Sequence, residues 1–413
     1  KSNSKQTKKT QKSVTPIENI IIVKYNFVMS IIKDEIEKIK KTATLKNPYD
    51  TVIQDVLKVK KDENVLIIAN PATVEIAQGF FHAVNEVKGK PSLIFQNDKT
   101  SFDNAEPSVL AAIGTNPDVA ISVSNIKLGK DPQATANPYK TENGEEYPHI
   151  FDYLLDGKKS MRAVWTPGIT VDMMNRTACI DYVELKNRCK KLGKIFAGAE
   201  FAHVTAPGGT DLMVPVKGRK LLNDDGDFST PGSGGNIPAG EVFISPLVPG
   251  TEAGGDTKGC EGVIVYDGSM TFYDGDSILN IPITCKLEKG FVTEVTGGAE
   301  AERLLHTITD AEKRAIEYEK NGKLPSGKGE VYKRNARNIG ELGIGLNPAA
   351  TITGNMLEDE KAFRTCHFAI GENYDNDAPS LIHLDGVVRY PTITLKYADG
   401  SEKIILDNGE LKI

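Results

Sequence analysis

The chain has 413 residues, with 50 Lys plus Arg against 56 Asp plus Glu, 39% hydrophobic and 7% aromatic residues, and a net charge of −6. Such a composition is globular, which excludes collagen, coiled coil and intrinsic disorder, and the length suits two domains that each bury a core. The acidic balance argues against a nucleic-acid or anionic-membrane partner, because phosphate surfaces are held by an excess of Lys and Arg; a small or neutral partner is expected.

Residues 1–28 hold six Lys against one acid, Glu18, and differ from all that follows. They are read as a flexible leader or upstream extension, since they lack the continuous apolar region and cleavage site of a secretory signal. Without them the remainder carries −11. Ile20–Val23, interrupted by Lys24 and Asn26, falls far short of the roughly 20 apolar residues that cross a bilayer, so no transmembrane helix is expected. From Met29 the pattern predicts an amphipathic helix over Ser30–Lys41, with Ile32, Ile36 and Ile39 on one face. Cys179, Cys189, Cys260, Cys285 and Cys366 form no C-x-x-C pair. Neither a disulfide framework nor a zinc knuckle is indicated, and a reducing cytoplasm is the expected compartment.

Between Asp50 and Gly198, strand-like runs (Val65–Ala69, Ser92–Phe95, Val119–Val123) alternate with helix-like ones (Ala72–Val87, Ser108–Ile113). This is the pattern of a parallel sheet with crossover helices, and it predicts an N-terminal Rossmann-like α/β domain over residues 29–200. No G-x-G-x-x-G follows the first strand, which runs into Asn70-Pro71-Ala72, so a dinucleotide cofactor has no support. Residues 125–150 read as a long surface loop. From Phe201 the chain becomes short β-rich runs (Thr210–Val216, Val242–Ser245, Val263–Tyr266, Ile281–Leu287) with helices predicted at Ala299–Asn321 and Met356–Phe363. Residues 201–413 are therefore expected to form an α+β, metal-binding catalytic domain.

The Gly-rich stretch Pro231–Glu241 lacks the Lys-Ser/Thr of a phosphate cradle and reads as tight turns. Its last residue, Glu241, either projects into a cleft or is a solvated acid. In Leu381–Val388, His383 and Asp385 are two apart, so on a strand they share one face while Ile382 and Leu384 turn to the core. Burying an imidazole and a carboxylate is costly unless they pair or coordinate a metal; both readings stand. Glu341 lies inside the nearly apolar, Gly-punctuated run Asn338–Leu346. Glu360, beside Glu358 and Asp359, is a ligand or part of a charged helix turn. With His367, these residues give three Glu, one Asp and two His, a set suited to two divalent cations such as Zn²⁺, Mn²⁺ or Co²⁺ that activate a water. His82, His149, His203 and His306 read as structural or solvated, and Trp165 as a core residue.

Pro238-Ala-Gly-Glu-Val-Phe243, Gly340-Glu-Leu342, Leu357-Glu-Asp-Glu360, His367-Phe-Ala-Ile-Gly371 with Tyr374, and His383-Leu-Asp385 together resemble the aminopeptidase T/aminopeptidase S family of M29 metallopeptidases, from about Asp50 to the end. The resemblance implies Glu241, Glu341, Glu360, His367, His383 and Asp385 as ligands of two metal ions, with Glu341 bridging them. It also implies Tyr374 as a hydrogen-bond donor to the tetrahedral intermediate, Glu360 as ligand or general base, a homodimer, and peptide substrates that lose their N-terminal residues. The segment between His367 and His383 is shorter than in the peptidases. The same superfamily contains 2,5-dihydroxypyridine dioxygenases, in which two His and one Asp hold a single Fe(II); His367, His383 and Asp385 match that triad. A metal- or peptide-binding homologue without activity is a third reading. The three glutamates make the aminopeptidase the first expectation.

Overall fold

In the computed structural model, which describes residues 47–100 and 103–413, the first alternating segment forms a five-stranded parallel sheet. The leader and the helix expected over Ser30–Lys41 lie outside the described residues. Strands β1 (Asn64–Ala69), β2 (Lys90–Phe95), β3 (Val119–Val123) and β4 (Arg162–Trp165) are joined by an edge strand, Gly234–Asn236, in the order Gly234–Asn236, β4, β3, β1, β2. Val65, Ile67 and Ala69 of β1 enter one core and Leu66 and Ile68 another. Burial on both faces is why the run is continuously apolar instead of alternating. Helix α1 (Val74–Glu86) buries Ile76, Ala77, Phe80, Ala83 and Val84, one stripe at helical spacing, and α2 (Pro107–Gly114) covers the second crossover.

Strand order reverses between β1 and β3, the place where open α/β sheets leave a crevice. Here Asn70 ties the carboxyl ends together: its Nδ2 donates to the Gln96 carbonyl at 2.9 Å, and its Oδ1 accepts from the Asn125 amide at 2.6 Å. The Gly-rich stretch expected as turns supplies the edge strand instead. A side chain at Gly234 would meet the Ala163 carbonyl at 2.7 Å and the Trp165 ring at 2.9 Å, so only glycine lets this strand close against β4. Within 125–150 the structure has a short helix, Pro132–Ala136, and a two-stranded ribbon, Tyr139–Lys140 with Glu146–Tyr147.

One ion pair anchors the parallel sheet from below. Arg162 is 3% exposed; it donates to the Leu57 carbonyl at 2.8 Å and to Glu63 at 2.6 and 3.2 Å. Burial alone would raise the Glu63 carboxyl, but the hydrogen bonds from Arg162 and the Lys60 amide hold it below its ordinary range. A carboxylate lowered in this way stabilises the fold above its unfolded value, about 4.3, and that contribution fades as pH falls through the lower folded value. Arg162→Ala is expected to cost roughly 3 kcal/mol at pH 7 and to reduce the loss of stability between pH 5 and 3, read by urea unfolding at several pH values. An unchanged urea midpoint would refute the anchoring role.

The second half builds two antiparallel sheets. An eight-stranded one runs from Ala199–Thr205 to the C-terminal Glu410–Leu411, with Thr392–Tyr397 paired to Ala199–Thr205. The other has seven strands: β5 (Leu222–Asp224), β6 (Glu241–Ile244), β7 (Ser269–Phe272), β8 (Gly275–Ile278), β9 (Ile339–Gly345), β10 (Thr365–Gly371) and β11 (His383–Arg389), in the order β8, β7, β11, β10, β9, β6, β5. Helices α3 (Tyr182–Phe196) and α4 (Ala299–Lys320) flank them. The fold is thus α/β, a parallel sheet followed by an antiparallel α+β region, and residues 47–413 cluster as one unit. Among the described residues no helix is long and apolar enough to cross a membrane.

The helix expected over Met356–Phe363 stops at Asp359. Acidic side chains that would project outward from a longer helix fold back instead. Glu358 accepts from the Thr351 amide at 2.8 Å and takes both arms of Arg176 at 2.7 and 2.8 Å. Asp359 accepts from the amides of Thr353 and Gly354.

Candidate metal centre

The seven-stranded sheet carries five of the expected ligands on neighbouring strands. In β9, Leu342 and Ile344 are buried in the core, while Glu341, Gly343 and Gly345 share the opposite face by period-two alternation. Across the strands Glu341 stands opposite Ala369, and Ala369 opposite Asp385; Gly343 stands opposite His367, and His367 opposite Val387. Small residues therefore sit between the functional ones. Glu241 begins β6 and pairs with Gly345 on one side and Asp224 on the other.

These side chains converge. Both imidazoles face Glu341, with His367 Nε2 3.0 Å from Oε1 and His383 Nε2 3.3 Å from Oε2. His367 Nε2 is also 3.3 Å from Glu241 Oε2, and His383 Nε2 3.5 Å from Asp385 Oδ1. Two metal-capable groups result, Glu341–His383–Asp385 and Glu241–Glu360–His367, the atoms of each within 4.8 Å of one another. The structure brings all six expected ligands together. Glu241 is not a solvated acid but 6% exposed.

The donor set fits a divalent cation. His383 Nδ1 lies 2.8 Å from the Glu372 carbonyl; donating there, the ring leaves the Nε2 lone pair for a metal, the usual way a backbone oxygen orients a histidine ligand. Of the eight buried side-chain polar atoms without a hydrogen-bond partner among the described residues, four belong to this cluster: both oxygens of Asp224, Glu241 Oε2 and His367 Nδ1. Buried polar atoms are rarely left unpaired, and half of those here belong to residues of this cluster.

Electrostatics point the same way. Burial would lower the His367 imidazole, but its hydrogen bond to Glu341 and the charges of Glu341, Glu241 and Asp385 push it up to about 9. Burial would raise Glu341, yet hydrogen bonds from both imidazoles hold it down to about 2. The acids thus keep positive charge on the rings, and a metal entering this site displaces protons from them. Glu360 is pushed up to about 8, by burial first and then by Glu241 and Asp385, against the pull of Lys361.

Two residues of the centre have no counterpart in the sequence reading. Lys361 is 0% exposed, with Nζ 2.9 Å from Glu241 Oε1, 3.3 Å from Asn236 Oδ1 and in direct contact with Glu360. Asp224 lies beside Glu241 with its carboxyl pushed well up, by burial first and then by Glu241 and Glu360. In Glu358-Asp-Glu-Lys361 the lysine looks like the end of a solvated helix turn, and in Asn223-Asp-Asp-Gly226 the aspartate looks like a turn residue. No local signal marks either.

The centre opens into a cleft of ≈ 840 Å³, with Glu360, Tyr374, His383 and Asp385 on the antiparallel side and Lys127 and Trp165 on the parallel side. Trp165 is therefore a cleft wall as well as a packing partner of Phe151. Tyr374 is half exposed, and its ring packs against His383 at 5.4 Å and Phe243 at 4.9 Å. Burial of its hydroxyl end and the carboxylates around it hold the phenol well above its ordinary range, so it remains a hydrogen-bond donor. A second cavity of ≈ 590 Å³, lined by Phe151 and His149, shares Lys127 and Trp165 with the cleft.

Known proteins resemble the chain in sequence and in fold. The family described as "NicX: 2,5-dihydroxypyridine 5,6-dioxygenase" matches residues 170–412, a segment that holds all six expected ligands, Tyr374 and Lys361. A 2,5-dihydroxypyridine 5,6-dioxygenase of Pseudomonas putida is 27% identical over 212 residues, which are 51% of this chain and 51% of that protein, so the match spans about half the length of that relative. Among solved structures, the 2,5-dihydroxypyridine dioxygenase of Pseudomonas putida KT2440 is similar with a TM-score of 0.62 and 19% identity, over 90% of this chain and 97% of that one. AmpT from Thermus thermophilus is similar with a TM-score of 0.61 and 15% identity, over 89% and 99%. At such identities these two likenesses describe the fold. The expected kinship with aminopeptidase T therefore holds for the architecture, whereas the sequence family is the one described for the dioxygenase.

Proposed function

This chain belongs to the NicX (2,5-dihydroxypyridine 5,6-dioxygenase) family, and from that premise we propose that it is a metal-dependent dioxygenase that opens a hydroxylated pyridine ring. The observation that carries the reading is the convergence of His367, His383 and Asp385, with Glu341 between the imidazoles, inside the segment that matches the family. Two imidazoles and a carboxylate are the donor set of non-haem Fe(II) oxygenases. When held by these three side chains, an Fe(II) ion would supply the one-electron chemistry that lets O₂ react with a closed-shell ring.

The chain's own residues do the rest. The Glu372 carbonyl fixes the plane of the His383 ring. Tyr374, a protonated phenol on the cleft wall, is placed to donate to a ring oxygen of the substrate. Glu360, on the same wall and pushed up to about 8, is placed to exchange a proton with a ring hydroxyl, becoming able to take it up as pH rises through that value. Trp165 offers a flat apolar surface across the cleft for an aromatic ring.

The test is oxygen uptake. Protein stripped with a chelator and reloaded anaerobically with Fe(II) is expected to consume one O₂ per 2,5-dihydroxypyridine and to leave aminoacyl-p-nitroanilides intact; Zn²⁺ reloading is expected to restore neither. Release of nitroaniline by the Zn²⁺- or Co²⁺-loaded protein, without oxygen uptake, would replace this reading with the aminopeptidase. The second reading is favoured by the fold shared with AmpT and by the presence of all three glutamates.

A further inference from the structure

Asp224, Glu241 and Glu360 surround a cation that the protein itself supplies. Lys361 is fully buried, and its Nζ faces three oxygens, Asn236 Oδ1, Glu241 Oε1 and Glu360 Oε1. An ammonium has three N–H donors and no acceptor, so donors and acceptors match one to one. A neutral amine would turn a lone pair toward one of these oxygens. Glu241 and Glu360, the two acids that Lys361 bridges, are also the carboxylates of the Glu241–Glu360–His367 group. Lys361 makes no ion pair with Glu341, His383 or Asp385, the members of the other group, among the contacts of the described residues.

We propose that the Lys361 ammonium stands in the place of a second metal ion, so that the centre holds one divalent cation, at Glu341, His367, His383 and Asp385. The proposal rests on the reading of this cluster as a metal centre. A dication about 2.0–2.2 Å from both Glu241 and Glu360 would lie against the ammonium, and like charges that close in a dry interior repel strongly. Lys361 cannot swing aside, because its whole side chain is enclosed. The acids need that charge: Glu241 and Asp224 are paired across β6 and β5, and Asp224 has no hydrogen-bond partner of its own. Removing the ammonium while keeping the volume therefore leaves the carboxyl groups of Asp224, Glu241 and Glu360 around an uncompensated point, an environment that recruits a second dication.

Co²⁺ titration followed by elemental mass spectrometry counts the ions directly. Wild type and Lys361→Arg are expected to saturate at one Co²⁺ per chain, and Lys361→Met at two, with a Co²⁺-dependent rise in Tm in the Met variant that exceeds the rise in wild type. Two ions in wild type, or one in a Lys361→Met protein that melts cooperatively, would overturn the proposal while leaving the metal centre intact. No bound ion in wild type would overturn the metal centre itself. Should Lys361→Met not fold, Lys361→Gln is counted in its place, and the wild-type count alone still decides against the proposal if it is two.

Discussion

Gly343→Ala is expected to lower the metal content of the purified protein at least tenfold and its activity in step, although no ligand is changed. Gly343 of β9 stands opposite His367 of β10, and a Cβ built at 343 falls well inside van der Waals contact with Nε2, Cε1 and Cδ2 of the imidazole. Neither partner can yield cheaply. His367 is completely buried, fixed in register against Val387 on its other side and hydrogen-bonded to Glu341 at 3.0 Å. The ring must therefore rotate off its ligand position or the strands must part. Overpacking of this kind costs about 1–3 kcal/mol, which a protein of this size tolerates, whereas the loss of an oriented ligand costs metal affinity tenfold to a hundredfold or more. The measurement is metal per chain beside a thermal melt. Gly114→Ala, where an added Cβ meets nothing within 4 Å, is the control expected to match wild type. Full metal content in Gly343→Ala would show that His367 is not a ligand.

His383→Ala is expected to reduce activity by at least a thousandfold while leaving the fold intact. The two halves of that expectation have separate causes. His383 is one of three residues able to complete the triad, and its Nε2 stands between Glu341 and Asp385; no neighbouring group replaces an imidazole. Yet its side chain is 25% exposed at the floor of the cleft, so truncation opens space to solvent and leaves no sealed void, the case in which large-to-small substitutions are tolerated best. The vacated space adjoins the Glu372 carbonyl and the face of Tyr374, so free imidazole at millimolar concentration is expected to restore part of the metal binding and activity. A His383→Ala protein with more than a tenth of wild-type activity would remove His383 from the centre and leave the triad without a second imidazole.

Much of the candidate site is legible in the sequence. The two-residue step from His383 to Asp385 places both on one face of a strand whatever the strand's neighbours, and Leu384 does point to the core. The Gly-punctuated run around Glu341 reads only as nearly apolar; the structure makes it a strand with Glu341, Gly343 and Gly345 on one face. The structure gives the glycines their purpose, because Gly343 makes room for His367. Glu241, by contrast, had two readings on the sequence alone, and its choice between surface and centre depends on Gly345 and Asp224, residues about 100 positions later and 17 positions earlier in the chain.

What the sequence determined by itself is whatever has a short period: the apolar β1 run, the helical stripe of α1 and the shared face of His383 and Asp385. What only the tertiary structure decided is the fate of charge. Glu358, Asp359 and Lys361 are each 0% exposed, in a run that any local reading places in solvent, because Glu358 and Lys361 are matched by charges from distant segments, Arg176 and Glu241, while Asp359 accepts from the nearby amides of Thr353 and Gly354. Periodicity is written in neighbouring residues, and the folded chain inherits it directly. The burial of a charge is affordable only when a counter-charge arrives from elsewhere in the chain, and its arrival is set by strand order and register across the sheet.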